Sequence, residues 1–327
     1  MKIYAFEVRD DEVEYFESLS CKYNIPIILN SQRLSMENVD ELDDNCGISI
    51  LGFSIINEDL LEALSKKNIK YIATRTIGYN HINLEKAKSL GIHVCNANYA
   101  PNGVSEYTIM MILLCLRKYK QSLWRSQIND YSLEGLIGKE IKDLTIGIIG
   151  TGQIGATVAR NLSGFGCKIL AYSRHENESI KDLVEYVSLE ELYKKADVIT
   201  LHTPLNNDSY HMINDDSISM MKKGVIIINC ARGSLTDMGS LIRGIESEHI
   251  GALGLDCIEN EESIVHKNLT TDIFSNREMA YLRQFKNVIH TQHMAFYTEA
   301  AVKSMVEASV NGIIEMDSNG TCETMLV

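Results

Sequence analysis

The sequence predicts an α/β protein built of two doubly wound parallel-sheet domains, and three observations carry that reading. The chain has 327 residues, about two domains' worth at roughly 100–200 residues each. Its composition, 45% hydrophobic and 23% charged with 21 Gly against 3 Pro, is that of a folded globular chain and excludes disorder, collagen and coiled-coil rods. Short apolar runs alternate with amphipathic segments in two series, one around residue 50 and one around residue 200, the pattern of βαβ units.

In the first series, residues 2–8, 26–30, 47–53, 70–75 and 93–96 read as strands. Between them lie acid-rich helical segments such as 57–67, where Leu60, Leu61 and Leu64 share one face. Pro101 then punctuates the chain, and residues 103–116 read as one helix too apolar for a surface element. The polar stretch 124–138 fits neither series and is expected to serve as an arm against another subunit. The second series has strands at 145–149, 168–172, 198–201, 224–229, 251–256 and 287–291. Ser188 and Glu191 form an S-x-x-E capping box at one helix start. An amphipathic helix over about 298–316 closes the chain.

Forty-four acids against 31 bases give a formal charge of −13. With no dense Lys/Arg stripe, this argues against a nucleic-acid partner. The longest unbroken apolar stretch, 109–116, is far shorter than the roughly 18 residues a membrane span needs. Acids at positions 10 and 11 interrupt what a signal peptide would require. The eight cysteines lie at least 20 residues apart with no C-x-x-C, so buried reduced thiols are expected, with neither a metal site nor a disulfide framework. These features point to a cytoplasmic protein.

The strand at 145–149 runs into Gly150-Thr-Gly152-Gln153-Ile154-Gly155 and then a helix. In that setting a G-x-G-x-x-G loop is a strong dinucleotide signal. The first glycine permits the tight turn, the second lets backbone approach a pyrophosphate, and the third lets helix pack on strand. The helix N-terminus offers free N–H groups to the phosphates. An NAD site usually carries an acid about 20 residues on, which binds the ribose 2′-hydroxyl. Here the next strand ends at Ser173 and Arg174. No carboxylate stands there to repel a 2′-phosphate, and a guanidinium can clamp one. NADP(H) is therefore expected to be used at least as well as NAD(H), although Glu176 and Glu178 lie close by.

Three further segments place a polar residue just past an apolar strand: Arg232, Glu261 beyond Asp256, and His293. Open α/β sheets bind ligands at such strand ends. Taken singly, Arg232 reads equally well as an ion-pair residue, His293 as a core histidine and Glu261 as a solvated acid. Their order behind a dinucleotide loop changes that. With T-R-T-I-G-Y-N-H-I at 74–82, N-Y-A-P at 98–101, G-T-G-Q-I-G at 150–155, H-T-P-L at 202–205, A-R-G at 231–233 and A-F-Y-T at 295–298, the sequence resembles the D-2-hydroxyacid dehydrogenase family. It is most similar to the D-lactate dehydrogenases, including the glycopeptide-resistance type.

The resemblance implies a Rossmann cofactor domain at 100–297 and a discontinuous flavodoxin-like substrate domain at 1–99 plus 298–327. It implies NAD(P)H-dependent reduction of a small 2-oxo acid, pyruvate or a bulkier homologue, to the (R)-2-hydroxy acid, and a homodimer. Arg232 matches the family's carboxylate-binding cation, His293 its proton donor and Glu261 the acid beside that histidine. Glu259 and Glu262 are rivals for the acid by proximity, and only the family register selects Glu261. Gln153 and Ile154 match the pyrophosphate contacts, and Thr203, Pro204, Cys230 and Ala231 match positions lining the cofactor. Asp256 matches the nicotinamide carboxamide contact. Ile77 and Gly78 match a backbone clamp on the substrate carboxylate, and Tyr99 and Phe296 resemble residues shaping the pocket. The chain departs from its relatives at Gln292, where most carry Pro before the histidine, and at the missing ribose acid. The alternatives are a non-catalytic dinucleotide-binding redox sensor on the same fold and, among enzymes, a glyoxylate or hydroxypyruvate reductase.

Overall fold

The first series of apolar runs folds into β1 (Ile3–Ala5), β2 (Ile27–Leu29), β3 (Gly47–Ile50), β4 (Tyr71–Thr74) and β5 (His93–Cys95). They pair in parallel in the order β2-β1-β3-β4-β5, the flavodoxin-like order. The computed structural model describes every residue except 273–275, and every side chain except those and that of Glu262. The chain divides into two units, Met1–Ala100 with Tyr297–Val327, and Pro101–Phe296.

In the first unit, helices α1 (Val13–Tyr23), α2 (Glu58–Lys66) and α3 (Leu84–Ser89) lie between strands. The Asn57 side chain accepts the Leu60 N–H and starts α2, and Leu60, Leu61 and Leu64 are its buried face, as the spacing requires. The C-terminal helix Glu299–Asn319, capped by Thr298, packs on β3, β4 and β5. The Ser309 hydroxyl meets that of Ser49 on β3 at 2.7 Å.

Just past β4 sits a charge that the sequence did not mark: Arg75 is 0% exposed. Its guanidinium pairs with the equally buried Glu12 at 2.9 Å and donates to Ser49 Oγ and the Phe6 carbonyl. Every such bond matters, because a buried ion keeps its charge only when the lost hydration is replaced.

The second unit opens with α4 (Asn102–Leu116) and α5 (Tyr119–Gln127). Then come β6 (Thr145–Ile149), α6 (Gln153–Ser163), β7 (Lys168–Tyr172), β8 (Glu185–Tyr186), α7 (Leu189–Lys195) and β9 (Val198–Leu201). They are followed by α8 (Asp215–Met220), β10 (Val225–Asn229), α9 (Met238–Glu246), β11 (Ile250–Leu255), α10 (Arg277–Leu282) and β12 (Val288–His290). Among the described residues the sheet is β12-β11-β10-β9-β6-β7-β8, all parallel. The chain reverses its winding between β6 and β9, the switch point where a doubly wound sheet opens a ligand crevice. α4 is apolar on all sides because it packs against both the sheet and α6.

Several local expectations are corrected. Part of the polar stretch after α4 is helical: α5 buries no residue and presents Trp124 to solvent. Beyond it Leu133 and Ile137 are 83% and 85% exposed. The two-residue β8 escapes detection because it has no apolar run to signal it. Ser188 accepts the Glu191 N–H at 3.2 Å, but Glu191 pairs with Lys195 instead of returning to close the box. The cysteines are not uniformly buried: Cys21 is exposed and Cys167 and Cys322 are half-buried. Among the described residues no helix is long and apolar enough to cross a membrane.

Candidate active site

The glycine loop leaves β6 with Gly150 at φ +94°, and a β-carbon there would lie 2.5 Å from the His202 carbonyl oxygen. Only glycine tolerates both conditions. A β-carbon on Gly155 would lie 1.9 Å from the Gly150 carbonyl, so α6 can start against the strand only without one. At Gly152 nothing lies within 4 Å of that point. The loop is open where a pyrophosphate would approach. The first α6 bond is Ala156 N–H to the Gly152 carbonyl, so the N–H groups of Gln153, Ile154 and Gly155 precede it and face the loop. These residues fit a dinucleotide.

On the next strand, Ser173 is half-buried and Arg174 is exposed. No ion pair engages Arg174 among the described residues, and Glu178 is instead paired with Lys181 at 2.7 Å. Past β9, His202 precedes Thr203 and Pro204. Its Nε2 shares a 2.9 Å hydrogen bond with Thr200 Oγ1, and burial pushes the imidazole down to about 4.

Strand β10 ends in Asn229, whose side chain shapes the following turn. Its Oδ1 accepts the Ala231 N–H and its Nδ2 donates to the Arg232 carbonyl. The Arg232 guanidinium donates to the Ala231 carbonyl, and no carboxylate pairs with it among the described residues. A half-buried cation without a counter-ion is suited to an anionic ligand. Cys230 and Cys257 lie buried beside this turn, and burial raises both thiols. Neither has the raised acidity expected of a nucleophile.

Just past β11 lies the fully buried Asp256. Its Oδ1 accepts Thr291 Oγ1–H at 2.6 Å and Met294 N–H at 2.9 Å, and its Oδ2 accepts Ala295 N–H at 2.8 Å. The carboxylate thereby clamps the segment on both sides of His293, which itself sits at φ +55°. His293 Nδ1 lies 2.6 Å from Glu261 Oε1, and Glu261 Oε2 accepts the Ile258 N–H at 3.0 Å. Glu259 turns the other way, to His211 Nε2 at 2.9 Å. Glu262 was the other rival, and its side chain lies outside the described residues.

His266 enters this site unannounced by the sequence. Its Nε2 is 3.2 Å from the His293 carbonyl oxygen, and its ring centroid is 6.2 Å from that of half-buried Phe296. With Asp256, it steadies the backbone around His293.

In the first unit, Tyr99 is half-buried and Ile77 and Gly78 follow β4 in an open loop. Asn96 Nδ2 donates to the Ile77 carbonyl at 2.8 Å, and Thr76 Oγ1 donates to the Gly78 carbonyl at 2.6 Å. Both carbonyls are thus held, while neither N–H donates to another backbone group among the described residues.

Comparison with known proteins agrees with this architecture. The family described as "D-isomer specific 2-hydroxyacid dehydrogenase, NAD binding domain" matches residues 109–295. An aromatic 2-oxoacid reductase of Clostridium sporogenes is 44% identical, with 100% of this chain and 99% of the relative covered. A D-specific alpha-keto acid dehydrogenase of Enterococcus faecium is 37% identical over 96% of this chain and 97% of its own length. The NAD-complexed structure of the D-isomer specific 2-hydroxyacid dehydrogenase from Lactobacillus delbrueckii ssp. bulgaricus superposes with a TM-score of 0.88 at 30% identity, covering all of both chains. With its two parallel sheets, its open glycine loop and its Glu261–His293 pair, the chain belongs to the D-isomer specific 2-hydroxyacid dehydrogenases and is an NAD-binding oxidoreductase.

Proposed function

We propose that this dehydrogenase reduces bulky, preferably aryl, 2-oxo acids to (R)-2-hydroxy acids, and that it accepts NADPH at least as well as NADH. The single observation that carries the chemistry is the 2.6 Å contact between His293 Nδ1 and Glu261. A carboxylate at Nδ1 fixes the tautomer and leaves Nε2 as the nitrogen that delivers a proton. Gly150–Gly155 would hold the pyrophosphate of a nicotinamide dinucleotide, with Thr203, Pro204, Cys230, Ala231 and Asp256 as the proposed lining toward its nicotinamide, which when bound would supply the hydride. His293 Nε2 gives its proton to the keto oxygen as that oxygen becomes an alcohol, and Glu261 holds the ring in place through Nδ1. Arg232 binds the substrate carboxylate through its planar fork and polarises the adjacent carbonyl. The N–H groups of Ile77 and Gly78 are proposed to contact an anionic group of the substrate. Tyr99 and Phe296 are the proposed walls for the side chain.

The aryl preference is supported by the 44% identical relative named an aromatic 2-oxoacid reductase. Use of NADPH is supported by exposed Arg174, which has no carboxylate partner among the described residues. A homodimer covering the apolar residues after α4 would remove Trp124, Leu133 and Ile137 from water. Unpaired thiols fit a reducing cytoplasm.

The test is NAD(P)H oxidation at 340 nm with pyruvate, 4-methyl-2-oxopentanoate and phenylpyruvate. The highest kcat/KM is expected for phenylpyruvate, with a loss of about 10²–10⁴-fold in His293→Ala. Retention of full turnover by that variant refutes the assignment.

A further inference from the structure

The C-terminal tail pairs with β5 as an antiparallel edge. Leu326 N–H donates to the Val94 carbonyl at 2.7 Å, Val94 N–H to Val327 at 3.1 Å, and Asn96 N–H to Thr324 at 3.2 Å. Thr324 Oγ1 also donates to the Asn96 carbonyl. Two cysteines lie across this seam, buried Cys95 on the strand and half-buried Cys322 on the tail. The C-terminal helix presents Gly312 to both. A β-carbon there would lie 2.6 Å from Cys95 Sγ and 3.7 Å from Cys322 Sγ, so the two sulfurs share the hollow that glycine leaves. The neighbouring Cys95 thiol lowers Cys322 below the ordinary thiol value, with the Thr324 N–H helping against burial, while Cys322 and burial raise Cys95. The half-buried thiol is thus the more acidic of the two, with a buried partner behind it. This is the asymmetry that thiol–disulfide exchange uses.

We propose that Cys95 and Cys322 are a reversible dithiol–disulfide site that pins the C-terminal strand to β5. The Cys322 thiolate attacks one sulfur of a low-molecular-weight disulfide RSSR, forming Cys322–S–SR and expelling RS⁻. Cys95 then gives up its proton and attacks Cys322 Sγ, closing the Cys95–Cys322 bond and expelling the second RS⁻. Two protein thiols lose two electrons, RSSR gains them, and the two thiol protons end on two RSH.

The bond reaches the substrate loop through Asn96. This residue is held by Thr324 on the tail side and itself holds the Ile77 carbonyl through Nδ2. Pinning the tail keeps Asn96 in place and, resting here on the proposed role of Ile77 and Gly78, lowers KM for the 2-oxo acid while leaving kcat alone.

The experiment treats the full chain with oxidised glutathione, maps its disulfides by mass spectrometry, follows amide exchange at 94–97 and 324–327, and then measures kinetics with phenylpyruvate. A Cys95–Cys322 linkage reversible by dithiothreitol is expected, with tail exchange slowed at least tenfold and KM lowered at least threefold. Cys322→Ser is expected to match the reduced enzyme in KM and kcat and to respond to neither oxidant nor reductant. Glutathione adducts without the linkage overturn the proposal, as does a linkage that moves neither exchange nor KM. Linkage and exchange are read without substrate, so inactivity of the reduced enzyme toward every 2-oxo acid would count against the proposed function alone.

Discussion

Replacing Asp256 by Asn tests whether the position of His293 is set by a carboxylate. The side chain keeps its shape but loses its charge and one acceptor. In the native protein three donors converge on it: Thr291 Oγ1 and Met294 N on Oδ1, and Ala295 N on Oδ2. Asn satisfies the two donors on Oδ1 best by placing its oxygen there, which turns its NH₂ toward the Ala295 N–H. One buried donor then faces another, at about 1–3 kcal/mol, and the surviving bonds lose their charge assistance, for a total of about 2–4 kcal/mol. Because His293 lies between the clamped residues, the loss falls on the turn that presents it, and a misplaced proton donor is expected to lower kcat roughly 10–100-fold. Urea unfolding and steady-state kinetics on one preparation read both quantities. A variant within about 0.5 kcal/mol of the parent, with unchanged kcat, would show that the segment holds its shape without Asp256 and would refute the clamp.

Three further outcomes are expected. In Arg174→Asp the ratio of kcat/KM for NADPH over NADH should fall at least tenfold, because a carboxylate replaces the cation proposed to bind the 2′-phosphate; an unmoved ratio means that Arg174 does not bind it. Arg75→Met should cost about 3–5 kcal/mol in urea unfolding, since it leaves Glu12 at 0% exposure with only the longer 3.7 Å contact to Arg9, and adding Glu12→Gln should recover part of that loss. Burial raises the Glu7 carboxyl against the bonds that favour its charge, so wild-type stability falls as pH rises from the unfolded carboxylate value through the raised folded one. Glu7→Gln lacks this term, so its stability relative to wild type should climb from pH 4 to pH 7.5; a constant difference would show that Glu7 is not destabilised by burial.

Periodicity located both sheets because the central strands, buried on two faces, are short apolar runs, as in the fully buried β10. It missed β8, an edge strand of Glu185 and Tyr186. The glycine loop was legible because its geometry admits almost no other residue at Gly150 and Gly155. The acid beside His293 was not legible from the residues alone. Glu259 and Glu261 differ by two positions, and what separates them is His211, which reaches Glu259 from 48 residues away. Arg75 and Glu12 escaped for the same reason: each looks like a surface charge until the fold joins them across 63 residues. The Cys95–Cys322 contact joins two chain segments that no local pattern relates.

What sets the accuracy of the site is a device repeated at the strand ends: a side chain that accepts backbone N–H groups from the loop carrying the chemistry. Asn229 does so for the Arg232 turn, and Asp256 for the turn around His293. Glu261 combines both tasks, one oxygen holding the Ile258 N–H of its own loop and the other facing His293 Nδ1. A loop tied only by packing can slide, whereas a hydrogen bond of about 3 Å limits where its amide can sit. The reacting groups therefore inherit their position from the buried strand ends, and Gln292 need not stiffen the turn, because Asp256 and His266 already hold the segment around His293.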